Sequence, residues 1–318
     1  MGERTRIARY FAPLASAEPG SFSLTDDAAA LTPPVGKQLV ITTDSVIESI
    51  HVLPGASAQH FAQKLMRRNL SDLAAMGATP WRYTLNLHTP AGLADSWFAE
   101  FAATLAQEQQ QFGLTLVGGD STSGGSAIHG TLTCFGLIES AALRRKGAAI
   151  GDDLYVSGSI GDAAYALSLL QQKRPVSEAL AARYHCPEPR LQLGSMLRGI
   201  ATSAIDISDG LLADIAQLCV ASACGATLAR DQLPIGTALH QHIAQDEAAW
   251  HFALSGGDDY ELCFTAAPSQ REIIQQLAKK LGLPLTRIGS ITTHGSGVKL
   301  RDATGEEIPV SQTGWEHA

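Results

Sequence analysis

The chain has 318 residues, 45% hydrophobic and 17% charged, with a formal charge of −8 from 23 Lys plus Arg against 31 Asp plus Glu. That length exceeds one compact core and suits two domains, and the composition excludes a disordered or fibrous chain. The acidic balance argues against broad nucleic-acid binding, and no apolar run approaches the roughly 20 residues a membrane helix needs.

An amphipathic helix opens the chain, with Ile7, Phe11 and Leu14 on one stripe. Glu3, Arg4, Arg6 and Arg9 deny it the apolar middle of a secretory signal. Short strands follow at 28–31 and 38–43, then a long helix capped by Ser57 and running to about Met76. A strand at 82–87, a helix from Asp95 to about Phe112, and strands at 114–117 and 128–138 complete a first domain, 1–141. Residues 144–151 mix charge, glycine and small side chains, which marks a boundary. The second domain, 142–318, begins with a strand at 154–157 and a helix opening at Gly161-Asp162. The CPEPR stretch (186–190) breaks the helical pattern and restarts it. A strand at 204–207, a helix through Cys219, a strand at 260–265, a helix ending near Leu281 and strands at 285–291 and 298–301 follow. Helices and strands interleave in both halves, so the reading is two α/β domains of the α+β type.

The five cysteines form no CxxC pair and the ten histidines no HExxH, which points to reduced thiols in a cytoplasmic protein and away from a zinc site. The informative residues are aspartates. Asp27, Asp44, Asp72, Asp120, Asp206, Asp209 and Asp258 lie beside glycines, strand ends or apolar stripes. A carboxylate withdrawn from water needs a cation, and Lys and Arg nearby are too few. In the strand 38–44, alternation puts Val40, Thr42 and Asp44 on one face and Ile41 with Thr43 on the other. In the long helix, Leu65, Asn69, Asp72 and Met76 share a stripe, so Asn69 and Asp72 interrupt a face that should be buried. A buried Asp72 has a structural alternative, capping a helix or pairing with Arg67 or Arg68. At 114–120 the apolar run stops at two glycines, which expose N–H groups to a ligand, before Asp120. At 203–209, Ile205 and Ile207 take the core face and Asp206 with Ser208 the other. Asp209-Gly210 then opens a helix whose N-terminal amides favour an anion, although Asp209 by itself fits a helix cap equally well. Asp26, Asp152, Asp153 and Asp259 read as turn or capping residues, His51 alone as a loop histidine and Trp315 alone as a packing anchor. Oxygen donors without thiolate or imidazole clusters point to Mg²⁺ or Mn²⁺, less to Ca²⁺. No P-loop is present, and GSIG (158–161) fits a tight βα turn better than a phosphate loop.

The motifs TDDA (25–28), TTDS (42–45), NLSDLAAMGATP (69–80), GGDS (118–121), DISDG (206–210) and SGGDDYEL (255–262), with Gly314-Trp315, resemble the thiamine-monophosphate kinase family over nearly the whole chain. Two departures stand out: Thr25 replaces the usual glycine, and Asp258 stands where Glu is frequent. The resemblance implies a two-domain fold like that of aminoimidazole ribonucleotide synthetase and selenophosphate synthetase, with N-terminal domains pairing into a β-barrel across a homodimer. It implies several Mg²⁺ ions held by Asp27, Thr42, Thr43, Asp44, Asp72, Asp120, Asp206 and Asp209. It implies ATP contacts from Gly119, Asp120, Arg145 and Ser208, with Arg144 the adjacent alternative to Arg145. His51, Asp258 and Trp315 match positions that touch the thiamine substrate, and Asp44, Asp72, Asp120 and Arg145 would carry catalysis.

The implied reaction is direct in-line transfer of the ATP γ-phosphoryl group to thiamine monophosphate, with no membrane or nucleic-acid partner. The alternatives are another ATP-dependent enzyme of this fold, resembling aminoimidazole ribonucleotide synthetase, or a non-catalytic Mg-nucleotide-binding regulator. Selenophosphate synthetase chemistry uses a cysteine near the N-terminus, and the first cysteine here is Cys134.

Overall fold

A computed structural model describes residues 2–139, 141–309 and 314. The chain divides into two compact units, Met1–Leu73 with Ala78–Ser140, and Ala74–Gly77 with Ala141–Ala318.

The first unit is built on strands β1 (Gln38–Ile47), β2 (Thr79–Thr89), β3 (Leu116–Ser123) and β4 (His129–Ile138), ordered β1-β4-β2-β3. Only the β2–β3 pair is parallel. One face carries buried Val46, Tyr83, Leu85, Leu87, Leu132 and Cys134. Against it lies the helix Ala58–Ala75, with Phe61 and Leu65 over Gly130 and Leu73 over Gly136. The Ser57 hydroxyl accepts from the His60 amide, the cap expected from the sequence. A second helix, Asp95–Phe112, is tied to the sheet by the Tyr83 phenol, which donates to Gln109.

Two sequence expectations change here. No strand forms at 28–31, because the Ala30 amide donates to the Gly20 carbonyl at 2.8 Å and ties the segment to a turn. The opening helix is split into Glu3–Arg6 and Ala12–Ala15 by a wider turn, although Phe11 and Leu14 are buried as their spacing implies. The sheet is open, and no closed barrel occurs among the described residues.

The second unit holds β5 (Asp153–Ser157), β6 (Ser203–Asp206), β7 (Gly225–Ala229), β8 (Leu262–Ala266), β9 (Leu285–Thr292), β10 (Val298–Arg301) and β11 (Glu307–Ile308), in the order β11-β10-β7-β9-β5-β8-β6. Central β5 and β8 are buried along their whole length, and their middles, Leu154–Val156 and Leu262–Phe264, are apolar without alternation. Leu154, Val156 and Cys263 join Ile205, Ile207 and Leu211 in one core, while Tyr155, Leu262 and Phe264 join Leu197 and Ile274 in another. Strand β7 and the helices Thr237–Ile243 and Trp250–Ser255 escaped the sequence reading. They span five, seven and six residues, too few to display a period.

Candidate active site

In the first unit, period-two alternation along β1 and the helical repeat bring three of the expected residues together. Thr42 and Asp44 face the helix Ala58–Ala75, and the Thr42 hydroxyl donates to Asp72 at 2.5 Å. Arg68, one turn earlier, donates from Nε to Asp44 at 2.8 Å, and the Asp44 carboxylate also accepts from the Ser45 amide. Asn69 is fully buried; its Nδ2 donates to the Leu65 carbonyl at 2.9 Å and reaches the Asp44 carbonyl at 3.4 Å. Of the two arginines considered as structural partners on this helix, Arg67 forms a fork to Glu108 and Arg68 goes to Asp44. Cys134 lies beneath this cluster, its thiol pushed up by burial and then by the Asp72 charge. Thr43 is not brought in by its side chain. It pairs with Thr133 on the opposite face, and its hydroxyl donates to the Leu132 carbonyl.

Asp27 and Asp120 meet elsewhere, as exposed residues lining a cavity of about 450 Å³ in the same unit, together with Asp26 and Gly118-Gly119. Asp120 accepts from the Ser121 amide at 2.9 Å. Gly119 has φ of +148°, and a Cβ there would stand 1.8 Å from the Leu85 carbonyl oxygen, so strand packing alone demands glycine. Register runs Asp44, Leu132, Leu85, Gly119 straight across the sheet. Asp44 and Gly119 therefore lie three strand spacings apart, about 14 Å, with Asp120 on the other face. Within one copy, Thr42, Asp44 and Asp72 form one group and Asp27 with Asp120 another. His51 occupies a loop, its Nδ1 accepting from the Ile47 amide at 3.1 Å.

In the second unit, Asp206 ends β6 and is buried. The amides of Ser208, Asp209 and Gly210 all donate to one oxygen of Asp214, at 3.0, 3.1 and 3.2 Å. The anion site expected at the N-terminus of the helix Leu211–Ser222 is thus filled from within. Burial, then the charges of Asp206 and Asp209, push the Asp214 carboxyl up to about 8. Sequence reasoning missed this residue, although its place in the first turn of that helix is a signal. Arg145 donates to Gln217, and its carbonyl accepts from Ser222. The neighbouring Arg144 carbonyl accepts from the Ala204 amide.

Asp258 sits at φ of +65°, its amide donating to the Ser208 carbonyl at 2.9 Å. GSIG serves as a tight turn: the Gly161 amide donates to both oxygens of Asp259 at 2.9 Å, and a Cβ on Gly158 would strike Glu261 at 2.2 Å. Asp259 is the cap that the sequence suggested, and Asp152 likewise accepts from the Ala149 amide in a turn. Asp153 is instead an ion-pair residue; the Arg271 fork, then burial acting against it, leaves its carboxyl below the usual range. Trp315 lies outside the described residues, and Gly314 beside it packs against Ala213 and the Asp209 carbonyl.

All the expected metal donors are carboxylate or hydroxyl oxygens, the donor type a hard divalent cation takes; Thr42 meets Asp72 directly, while Asp44, two residues along the same strand face, is held by Arg68. Among the described residues no three His, Cys, Asp or Glu side chains already stand as a metal-binding group. No described helix is long and apolar enough to cross a membrane.

Comparison with known proteins agrees with this architecture. Residues 25–138 match the AIR synthase related protein N-terminal domain, and 149–301 match its C-terminal domain. The chain is 38% identical to thiamine-monophosphate kinase of Escherichia coli K12 over 324 residues, covering 99% of this chain and 98% of that one. It is 38% identical to the Haemophilus influenzae thiamine-monophosphate kinase over 326 residues, covering 100% and 98%. Thiamine-monophosphate kinase from Stenotrophomonas maltophilia K279a superposes with a TM-score of 0.81 at 41% identity, over 90% of this chain and 91% of that one. AaThiL complexed with AMPPCP and TMP superposes at 0.79 and 27% identity, over 95% and 98%. By full-length identity as well as by both domain matches, the chain belongs to the thiamine-monophosphate kinase family of AIR synthase related proteins.

Proposed function

We propose that the protein is an ATP-dependent kinase that converts thiamine monophosphate to thiamine diphosphate in the cytoplasm. The carrying observation is its match over 95% of its length to AaThiL complexed with AMPPCP and TMP. The acceptor is a phosphate oxygen that is already anionic at neutral pH, so the reaction needs no general base to make its nucleophile. The obstacle is charge repulsion between two phosphates brought in line, and the work left to the protein is positioning and neutralisation. Asp27, Thr42, Thr43, Asp44, Asp72 and Asp120 in the first unit, and Asp206 and Asp209 in the second, would hold Mg²⁺, which supplies charge neutralisation on the phosphate oxygens. Thr43 would take part from the exposed face of β1, through the lone pairs its hydroxyl keeps while donating to the Leu132 carbonyl. Gly119, Asp120, Arg145 and Ser208 would contact ATP, with Arg145 adding a fixed positive charge. His51, Asp258 and Trp315 would contact the thiamine substrate.

A homodimer belongs to the same reading. By register, Leu39, Ile41, Phe135 and Leu137 share the sheet face turned away from the helices, and Ile41 is 59% exposed. Strands β1 and β3 are the two edges of this sheet. A second copy, laid edge to edge, would close eight strands around that apolar face and bring Asp44 of one copy near Gly119 and Asp120 of the other.

The domains 1–141 and 142–318 would divide the labour between metal with dimerisation and the remaining substrate contacts. ADP release measured with and without thiamine monophosphate tests the proposal. Release that depends on thiamine monophosphate supports the kinase. Mg-ATP binding without it favours the non-catalytic regulator, and release with a different acceptor favours another enzyme of this fold.

A further inference from the structure

The segment from Gly257 to Glu261 is unusual in its backbone. Asp258 and Tyr260, neither of them glycine, both adopt left-handed conformations, with φ of +65° and +51°. Side chains avoid this region unless the surroundings enforce it. The enforcement comes from the alternate residues. Asp259, almost fully buried, takes the Gly161 amide with both oxygens. Glu261, fully buried, accepts a two-pronged fork from Arg190, a bond from Arg183 at 3.0 Å and another from Ser157 at 2.6 Å. The main chain is pinned as well, since the Tyr260 amide donates to the Ile207 carbonyl at 2.8 Å and the Asp258 amide to Ser208. Within this clamp the buried Tyr260 phenol donates to Asp258 Oδ1 at 2.9 Å.

We propose that Tyr260 is a positioning residue for thiamine monophosphate: from a turn clamped by Asp259 and Glu261, its phenol fixes the plane of the Asp258 carboxylate that meets the substrate. This rests on the functional reading above, in which Asp258 is the substrate contact. The chemistry is consistent with it. A carboxylate fixed in one orientation complements the exocyclic amine and the cationic ring of thiamine, and a neutral phenol orients it without cancelling its charge. A rigid ring also orders the acceptor before the substrate arrives, so the effect belongs in binding more than in phosphoryl transfer.

Tyr260→Phe removes one oxygen and keeps the buried ring, so the fold should persist, checked by an unchanged melting temperature. In steady-state assays it should raise KM for thiamine monophosphate five- to twentyfold, with kcat and KM for Mg-ATP within twofold. Asp258→Asn should raise the same KM, and Tyr260→Phe added to Asp258→Asn should add little, because the phenol acts through that carboxylate. Calorimetric titration with thiamine monophosphate alone should show the same loss in Tyr260→Phe. An unchanged KM in Tyr260→Phe, or a full additional effect in the Asp258→Asn background, overturns the proposal. So does an unaltered KM in Asp258→Asn, which removes the residue Tyr260 is meant to orient. A parent protein that releases no ADP in response to thiamine monophosphate refutes the functional reading itself, a separate outcome.

Discussion

Arg68 donates to Asp44 at 2.8 Å, with the two side chains 13% and 33% exposed, so a carboxylate expected to bind metal is neutralised by the protein's own cation. A divalent ion reaching that oxygen must displace the guanidinium. A partly buried, charge-assisted bond of this kind contributes about 1–2 kcal/mol. Removing it returns that energy to the competing cation, a gain of roughly fivefold to thirtyfold in affinity. Arg68→Met keeps the apolar stem and loses the charge. The Mg²⁺ concentration for half-maximal ADP release, measured at fixed saturating ATP and thiamine monophosphate, should fall by that factor. The gain in melting temperature on adding Mg²⁺ without nucleotide should start at correspondingly lower concentration. If Arg68→Met leaves the half-saturating Mg²⁺ unchanged or raises it, Asp44 is not a ligand that Arg68 blocks, and the reasoning fails.

Asp72→Asn and Asp120→Asn should each lower kcat more than a hundredfold while leaving the metal-free protein folded, because each removes a proposed metal-binding charge and keeps the side chain's shape; normal turnover at limiting Mg²⁺ would remove the residue from the metal set. Ile41→Asp places a charge on the exposed apolar face of β1 and should convert a dimer to monomers in sedimentation velocity, with loss of ADP release. A parent chain that sediments as a monomer would rule out the paired-sheet reading. For Asp214, burial and the Asp206 and Asp209 charges raise the folded value to about 8 from an ordinary 3.8, so folding favours the protonated acid. Its penalty is absent below about pH 4 and grows as pH rises towards 8, by at most about 1.4 kcal/mol per unit. Asp214→Asn, which can still accept the three amides, should therefore gain on the parent between pH 5 and 8 in EDTA melts, and a constant difference across that range would contradict the assignment.

Much of this was legible in the sequence wherever a period or a cap carried the signal. The strict alternation of β1 set Thr42 and Asp44 on one face, and the helical repeat set Asn69 and Asp72 on one stripe. The two meet in the Thr42–Asp72 bond. The cap at Ser57 and the ends of the helix Asp95–Phe112 were legible for the same reason. Strand order was not, because neighbours in a sheet are chosen by non-local pairing that no local pattern records. That is why Asp44 and Asp120, both at strand ends in the sequence, prove to lie on opposite edges of one sheet. Partners were equally hidden. Arg68 reads as a possible partner of Asp72 and is found on Asp44 instead, and Tyr260 reads as an ordinary strand residue until its positive φ is seen.

The hardest case was the helix after Asp209-Gly210, where local rules point to an open anion site. A carboxylate four residues beyond Gly210 fits the helix-dipole rule equally well as a surface acid, and only its burial reveals that it turns inward. Once Asp214 holds the three amides, the helix terminus no longer offers them to a phosphate. What that terminus presents instead is a loop of fixed shape carrying Ser208 and Asp209. The Ser208 carbonyl is in turn bonded to the Asp258 amide. The residues proposed for the nucleotide, Ser208, and for the thiamine substrate, Asp258, are thereby joined by a main-chain bond. A change that loosens Asp214 should accordingly alter thiamine monophosphate binding as well as nucleotide binding, whereas a phosphate-binding helix end would have linked it to the nucleotide alone.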